Sequence, residues 1–331
     1  MPSILVTGGL GFIGAGYVNL LHTTRPAGWD IVVLDACFYA ANEGRLAREV
    51  REDPTVHIVQ CNLLSWSRIL IELSRLEVRE VVHFAAYSHV GASFLNPLEF
   101  SVDNLLGTQT LLECCRLYGK VERFVMVSTD EVYGESATTL DAQPFAEDAP
   151  LRPTNPYAAS KAAAEIMAST YARCYGMPVV VSRGNNVLGP GQHPEKLVPA
   201  VIARFAAGQR ARVEGDGSQL RSFLYVEDVA RAVDLLRLRG APGETYNIGG
   251  REEHSVLDVV RTILEVMHPG AALEDWVEFA PDRPYQDRRY YVTSAKLEAL
   301  GWRQAVALRE AVERIARVSS LTAVSTDSRR E

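Results

Sequence analysis

The chain has 331 residues, of which 47% are hydrophobic and 23% are charged, and its formal net charge is −7. This composition is typical of a globular protein with enough length for a large core, built as one large domain or two closely joined ones. Nucleic-acid-binding proteins are usually basic, and no cluster of lysine and arginine stands out here. We therefore expect no nucleic-acid partner.

The cysteines and the apolar segments favour a cytoplasmic protein. The five cysteines form no Cys-x-x-Cys motif, which favours reduced thiols. The sequence shows no signal peptide and no apolar segment of membrane-spanning length, so we expect no membrane partner. The seven histidines are scattered without the spacing of metal ligands, which predicts that no metal is bound.

The beginning of the chain is typical of a dinucleotide-binding unit. Residues 3–7 predict a strand, and residues 12–22 predict a helix. Between them, Gly9, Gly11 and Gly14 give the spacing G-x-G-x-x-G, and the same segment read from Gly8 gives G-x-x-G-x-x-G. Glycines at these positions allow a tight turn and let a pyrophosphate approach the N-terminus of the helix.

The second predicted strand, residues 31–35, ends in an acidic residue. Asp35 follows Gly14 by 21 residues. A carboxylate at this place can bind the ribose diol of adenosine and would repel a 2′-phosphate. The sequence therefore predicts NAD as the cofactor in preference to NADP.

The rest of the chain alternates between predicted strands and helices. In chain order these are strands at residues 57–62 and 80–86, a helix at 98–117, a strand at 123–128, a helix at 156–175, a strand at 177–182, a helix near 197–207, a strand at 221–226 and a helix at 226–238. Through residue 183 the alternation predicts an α/β fold with a doubly wound parallel sheet of the Rossmann type.

Two domains and a tail are expected. Residues 1–183 and about 222–248 are assigned to an NAD-binding domain. Residues of about 184–221 and 249–318 are assigned to a smaller, interleaved C-terminal domain that binds substrate. Residues 319–331 have little periodicity and are predicted to be a disordered tail.

Polar residues gather where the strand at residues 123–128 ends, namely at Ser128, Thr129, Asp130 and Glu131. In open α/β sheets, ligands bind at this edge.

Two potentially reactive side chains lie at the start of the helix predicted at residues 156–175. Tyr157 and Lys161 are four residues apart and therefore share one helix face. A nearby ammonium favours the phenolate and lowers the pKa of a tyrosine from about 10, so we expect Tyr157 to act as a base.

With these motifs, the chain resembles the extended short-chain dehydrogenase/reductase family. Within it, the chain is similar to the nucleotide-sugar 4,6-dehydratases from about residue 3 to about residue 317. Thr129 followed by Asp130 and Glu131 matches the signature of these dehydratases. The resemblance implies a catalytic set made of Thr129, Asp130, Glu131, Tyr157 and Lys161.

The resemblance also implies a reaction on a nucleoside-diphosphate glucose. Tyr157 deprotonates the C4 hydroxyl, held by Thr129, and a hydride passes to NAD. The new ketone acidifies the C5 hydrogen, which Glu131 removes while Asp130 protonates the leaving C6 hydroxyl. The hydride returns to C6 and C5 is reprotonated, so NAD ends oxidised in each turnover. Two adjacent carboxyls must then hold different charge states.

Further contacts follow from the same resemblance. The implied cofactor-binding residues are Gly8, Gly11, Phe12, Ile13, Gly14, Asp35, Asn62, Leu63, Phe84, Ala85, Ala86, Tyr157 and Lys161. The implied substrate-binding residues are Ser88, Asn104, Thr129, Asn186, Glu195, Lys196, Arg221, Asn247 and Arg283. Arginine suits a diphosphate because its planar fork donates two parallel hydrogen bonds. Flanking matches at residues 282–284 and 287–290 support this assignment.

The nucleotide is predicted from departures from the bacterial thymidine-nucleotide pattern. Gly91 and Ala92 replace an Asp-Arg pair, and Glu214 stands where an aromatic residue or histidine usually stacks on the base. Residues 183–187 and 221–225 look more like the eukaryotic-type UDP-glucose dehydratases of rhamnose pathways. UDP-glucose is therefore expected before dTDP-glucose.

Two other functions stay open at this point. A nucleotide-sugar 4-epimerase is opposed by the intact Asp130 and Glu131. A catalytically silent NAD-binding protein is opposed by the intact Thr129, Tyr157 and Lys161. By resemblance, the helices at residues 98–117 and 156–175 would pair in a homodimer.

Overall fold

The computed structural model describes residues 1–139, 141–282 and 286–327, with side chains through residue 319. The strands are β1 (Ser3–Thr7), β2 (Asp30–Asp35), β3 (Val56–Gln60), β4 (Val78–His83), β5 (Arg123–Thr129), β6 (Val179–Gly184), β7 (Asn186–Leu188), β8 (Ala211–Glu214), β9 (Leu220–Tyr225), β10 (Thr245–Ile248), β11 (Glu253–Ser255) and β12 (Val277–Ala280).

The α-helices are α1 (Phe12–Thr24), α2 (Arg48–Glu52), α3 (Trp66–Arg75), α4 (Val90–Leu95), α5 (Pro97–Phe100), α6 (Gly107–Tyr118), α7 (Pro156–Tyr175), α8 (Leu197–Ala206), α9 (Val226–Arg239), α10 (Val256–Met267), α11 (Leu273–Trp276), α12 (Ala295–Ala299) and α13 (Leu308–Asp327). Short 3-10 turns lie at Glu43–Arg45 and Asp130–Tyr133. A π-helical segment, Ser101–Leu106, joins α5 to α6, so the helix predicted over residues 98–117 changes its winding along its length.

The main sheet has seven parallel strands in the order β10-β6-β5-β4-β1-β2-β3, with helices on both faces. This confirms the predicted α/β, doubly wound fold. The chain direction across the sheet reverses between β1 and β4. At such a switch point the loops that follow the two strands separate and leave a crevice at their carboxyl ends.

Alternate side chains of each strand pack into different cores, because a strand has a repeat of two residues. From β1, Ile4 and Val6 pack with α1 and α9 on one face. Leu5 packs with α3, α6 and α7 on the other face. All five residues of β1 are buried, as expected for a central parallel strand covered on both sides.

A smaller unit follows the main sheet in the chain. Strands β11, β9 and β7 form one small sheet, β12 pairs with β8, and a third core forms under α8, α10 and α13. The C-terminal half contributes to both units, since β10 joins the main sheet and Leu297 and Trp302 pack into one of its cores. The predicted domain boundaries stay a prediction.

The last helix extends into the segment that was predicted to be a disordered tail. Helix α13 continues through Asp327, whereas the sequence predicted a disordered tail from residue 319. Its first half packs Ala311, Val312 and Ile315 into the third core, and the Ser319 hydroxyl donates to the Ile315 carbonyl. No helix within the described ranges is both long and apolar enough to cross a bilayer.

Candidate active site

One cleft opens at the carboxyl edge of the main sheet. Every residue of the implied cofactor set lines it, and so do the five implied catalytic residues. Of the implied substrate contacts, the cleft also includes Ser88, Asn186, Glu195 and Lys196. The structure therefore brings together motifs that are far apart in the chain.

The glycine-rich turn leaves no space for side chains. Gly8 has a φ angle of +68°, and a Cβ atom there would lie 2.6 Å from the backbone nitrogen of Ala85. A Cβ atom on Gly14 would lie 2.2 Å from the carbonyl oxygen of Gly8. Helix α1 starts after Gly11 with no side-chain cap and no acidic residue in its first turn. Its first N–H groups can therefore donate hydrogen bonds to a pyrophosphate, so these residues fit a dinucleotide.

Asp35 is held rigidly at the end of β2. Its carboxylate accepts hydrogen bonds from the backbone N–H groups of Leu10, at 3.0 Å, and Cys37, at 2.9 Å. The carboxylate is thereby fixed beside the glycine-rich turn, where a ribose diol would lie. At the end of β3, the side-chain oxygen of Asn62 accepts from the N–H of Leu64 at 2.8 Å.

Helix α7 positions the tyrosine and the lysine. Asn155 caps the helix by accepting a hydrogen bond from the N–H of Ala158 at 2.8 Å, and Pro156 occupies the first turn. One turn then separates Tyr157 from Lys161, and both line the cleft. The Tyr157 hydroxyl is in hydrogen-bonding contact with Thr129.

Burial shifts the pKa values of Lys161 and Tyr157 in opposite directions. The Lys161 ammonium donates to the backbone carbonyl of Val127 at 2.8 Å, and burial lowers the pKa of Lys161 to about 8. Burial raises the pKa of Tyr157 above its ordinary range, and the charge of Glu131 raises it further. Desolvation and the nearby carboxylate therefore favour the protonated form of Tyr157.

The two acidic residues follow β5 in a 3-10 turn. Asp130 is 3% exposed and accepts hydrogen bonds from the side-chain amide of Asn185, at 2.5 Å, and the Thr129 hydroxyl, at 3.1 Å. Glu131 is half-buried and accepts from the side-chain amide of Asn155 at 3.0 Å. The carboxyls thus have separate donors, which holds them in different environments.

Both carboxyls have perturbed pKa values. Burial raises the pKa of Asp130 to about 6, against the opposing hydrogen bonds from Asn185 and Thr129. Burial and then the charge of Asp130 raise the pKa of Glu131 to about 7. Groups that titrate near neutral pH are suited to proton transfer, and adjacent carboxyls titrate as a coupled pair.

Two of the implied substrate contacts are structural. The side-chain amide of Asn104 bonds both backbone polar groups of Tyr87 and the hydroxyl of Ser160. Asn247 is fully buried, and its side chain bonds the Tyr133 hydroxyl and the Phe145 carbonyl. Neither residue is among those that line the cleft, and these bonds brace its walls, so the expectation that they touch substrate stays a prediction.

Arg221 and Arg283 are the two implied phosphate-binding arginines. Arg221 lies outside the lining of the cleft, and its guanidinium stacks over the Tyr290 ring at 4.7 Å. Its charge nevertheless lowers the pKa of both Asp130 and Glu131, which places it close to the acid pair. Arg283 lies outside the described residues.

Aromatic rings connect the two sides of the cleft mouth. Tyr87 stacks on Phe38 and on Tyr39, with ring centroids 5.5 Å and 6.2 Å apart. His193 meets Tyr39 edge-on at 5.4 Å, and its Nδ1 lies 3.4 Å from a carboxylate oxygen of Glu195. The implied substrate residue Glu195 is therefore held at the entrance.

Sequence reasoning assigned no role to three polar residues around the acid pair. Asn185 binds Asp130 and also accepts from the N–H of Gly250 at 2.9 Å. Tyr290 places its hydroxyl 3.5 Å from a carboxylate oxygen of Glu131 and hydrogen-bonds Asp287. The sequence indicates segment 287–290 only as a neighbour of the phosphate site. Its contact with Glu131 could not be predicted, because 159 residues of chain separate Tyr290 from Glu131.

The sheet order, the glycine-rich turn at the switch point and the Tyr157–Lys161 pair define a dinucleotide-binding protein of the short-chain dehydrogenase/reductase type. The model of the family described as GDP-mannose 4,6 dehydratase matches residues 5–315. The chain belongs to this family.

Its relatives are similar over nearly its whole length. The chain is 41% identical over 303 residues to a trifunctional protein of Arabidopsis thaliana that is named UDP-glucose 4,6-dehydratase, 3,5-epimerase and reductase, covering 91% of this chain and 44% of the plant protein. It therefore spans less than half the length of that relative. It is 37% identical over 316 residues to the dTDP-D-glucose 4,6-dehydratase of Bos taurus, covering 94% and 86% of the two chains.

A solved structure has the same fold. The dTDP-glucose 4,6-dehydratase of Streptomyces venezuelae, crystallised with NAD bound, matches with a TM-score of 0.88 and 38% sequence identity. The match covers 95% of this chain and 96% of that chain.

Proposed function

We propose that this chain is an NAD-dependent nucleotide-sugar 4,6-dehydratase that converts a nucleoside-diphosphate glucose into the 4-keto-6-deoxy sugar and water. One observation carries the proposal: Thr129, Asp130, Glu131 and Tyr157 line a single cleft, and both carboxyls have pKa values raised toward neutrality. Its similarity to proteins named UDP-glucose and dTDP-glucose 4,6-dehydratases supports the same reaction.

The cofactor side of the cleft supports NAD. The first turn of α1, with Gly8 and Gly14 beneath it, would hold the pyrophosphate, and Asp35 would hold the adenosine ribose. When bound, NAD would supply the acceptor and donor of hydride for C4 and C6, and in its oxidised form a positive charge that favours the Tyr157 phenolate.

The residues of this chain would then carry the protons. Thr129 and Tyr157 would orient the C4 oxygen, and Tyr157 would take the proton of the C4 hydroxyl. A ketone at C4 makes the C5 hydrogen acidic, and Glu131, with its pKa near 7, would remove that proton at neutral pH. Asp130 would give a proton to the C6 hydroxyl, which then leaves as water. Once hydride has reached C6, Glu131 would return its proton to C5. The proton that Tyr157 took from the C4 hydroxyl then balances the one that Asp130 gave, so the protein ends with the total charge with which it began.

For the nucleotide we propose UDP-glucose, with dTDP-glucose as the alternative. Support comes from the departures at Gly91, Ala92 and Glu214 and from the identity of 41% with the plant UDP-glucose relative, against 37% with the bovine dTDP-glucose relative.

We also propose a homodimer through α5, the π-helical segment, α6 and α7. Leu98 is 79% exposed, Leu106 is 48% exposed and Ile166 is 58% exposed. Three large apolar side chains exposed on neighbouring helices support a protein–protein contact.

The test is mass analysis of the product. Purified protein is incubated with UDP-glucose and with dTDP-glucose in parallel, without added NAD. Loss of one water from the sugar of UDP-glucose alone supports the reaction and the nucleotide, and turnover without added NAD indicates a retained cofactor. Loss of water only from dTDP-glucose would keep the reaction and reject the nucleotide. Conversion without a change in mass would indicate epimerisation, and no conversion even with NAD would reject the proposal.

A further inference from the structure

Tyr290 places one hydroxyl between two carboxylates. The hydroxyl makes a short hydrogen bond to Oδ2 of Asp287 and lies 3.5 Å from Oε2 of Glu131. A phenol has a single proton to donate, and 3.5 Å is longer than an ordinary O–H···O hydrogen bond. The Tyr290 hydroxyl therefore donates its hydrogen bond to Asp287, and Glu131 faces a lone pair of the Tyr290 oxygen.

Asp287 is built as a fixed acceptor. It is 7% exposed, and the hydroxyl of Thr154 donates to the same oxygen, Oδ2, at 2.6 Å. The backbone carbonyl of Asp287 accepts from Nη2 of Arg221 at 2.7 Å. Two hydroxyl donors thus converge on one carboxylate oxygen, and a backbone hydrogen bond holds the segment that carries it.

The charges around Glu131 come from several elements. Asp130, in the same turn, raises the pKa of Glu131, and Asp287, on the C-terminal segment, raises it as well. Arg221, on β9, lowers that pKa, and so does the amide of Asn155 before α7. On α7, Tyr157 also faces Glu131, whose charge raises the pKa of Tyr157.

We propose that Asp287 is a positioning residue for Glu131: it accepts the hydrogen bond of the Tyr290 hydroxyl, leaves Glu131 without a phenol donor, and so keeps Glu131 a strong base. This inference rests on the proposed function, in which Glu131 removes the C5 proton. A base that accepted a hydrogen bond from Tyr290 would be stabilised as the carboxylate and would be weaker.

The test is the titration of Glu131 in the protein as purified, which needs no turnover. The infrared band of the protonated Glu131 carboxyl is assigned by its loss in Glu131→Gln. In Asp287→Asn the like charge is gone and the Tyr290 proton is free to turn toward Glu131, so we expect the midpoint to fall by about one pH unit. In active protein, the acidic limb of the pH dependence of kcat should move in the same direction. A midpoint at or above the native one in folded Asp287→Asn protein would overturn the proposal.

Two further variants keep the test decisive if Asp287→Asn folds poorly. Thr154→Val retains the charge of Asp287 and removes one donor from it, so the Glu131 midpoint should stay or rise, and a fall would contradict the proposal. In Tyr290→Phe we expect no rise, because the phenol does not donate to Glu131 in the native protein. A rise of about one unit would show that it does, and would overturn the inference. A protein that lacks dehydratase activity but shows the expected midpoints would reject the reaction and keep the positioning role.

Discussion

Asn155 donates a hydrogen bond of 3.0 Å to Glu131, and the same side chain caps helix α7. One amide therefore connects the acid that follows β5 to the helix that presents Tyr157 and Lys161. The relationship explains how two motifs on separate elements keep a fixed spacing, because neither can shift without breaking a bond to Asn155.

Replacement of Asn155 should separate these two roles. In Asn155→Ala both bonds are lost, so we expect a loss of about 1 kcal/mol of stability from the missing cap together with slower dehydration. Asn155→Ser retains a good capping group but is too short to donate to Glu131. It should unfold near the native temperature and still dehydrate slowly. Thermal unfolding and product formation measure the two effects, and full activity in both variants would show that the bond to Glu131 is dispensable.

Removal of the Glu131 carboxylate, the proposed base, should stop the reaction partway. We expect Glu131→Gln to abolish water loss and to leave oxidation at C4 detectable, because Thr129 and Tyr157 are untouched. Product mass shows whether water is still lost. Absorbance of the reduced cofactor at 340 nm shows whether C4 is still oxidised. Unchanged dehydration would remove Glu131 from the mechanism.

The raised pKa of Glu131 should appear in the pH dependence of stability. The folded protein raises this pKa from an ordinary 4.5 to about 7, so the folded state holds the proton more tightly than the unfolded state. The resulting stability is fully present below pH 4.5 and is lost as the pH rises through 7.

The neutral amide in Glu131→Gln does not ionise, so the variant does not lose this stability as the pH rises. We expect the variant to be more stable than the native protein at pH 8, by up to about 2 kcal/mol, with the difference shrinking toward pH 4. Denaturant titrations at both pH values measure it. Glu49→Gln, at an exposed glutamate on α2, is the matched control and should show no such dependence. An equal effect at both pH values would contradict a raised pKa.

Interruption of the exposed apolar surface should dissociate the proposed dimer. Ile166 is 58% exposed on α7, and Ile166→Glu would bury a charge in a contact that pairs this helix with its copy. We expect sedimentation at the monomer mass for the variant and at twice that mass for the native protein. Ile71→Glu, at a residue that is equally exposed on α3, should sediment like the native protein. A native protein that sediments as a monomer would reject the proposed interface.

The sequence by itself determined the sheet architecture and the local motifs. Buried strands and amphipathic helices follow from the alternation of apolar residues, and the bounds of β1 and α7 agree with the predicted ones. Tyr157 with Lys161, and Thr129 with its two acids, are close in the chain, so backbone geometry alone brings each set together.

The tertiary structure alone decided what surrounds these motifs. Tyr290 reaches Glu131 across 159 residues of chain, and Asn185 reaches Asp130 across 55. It also decided that Tyr157 is buried beside Glu131, and both of these raise its pKa. The physical reason is that desolvation, Coulomb interactions and hydrogen bonds depend on distance in space. A motif indicates which groups can react, whereas the residues packed around them set their pKa values.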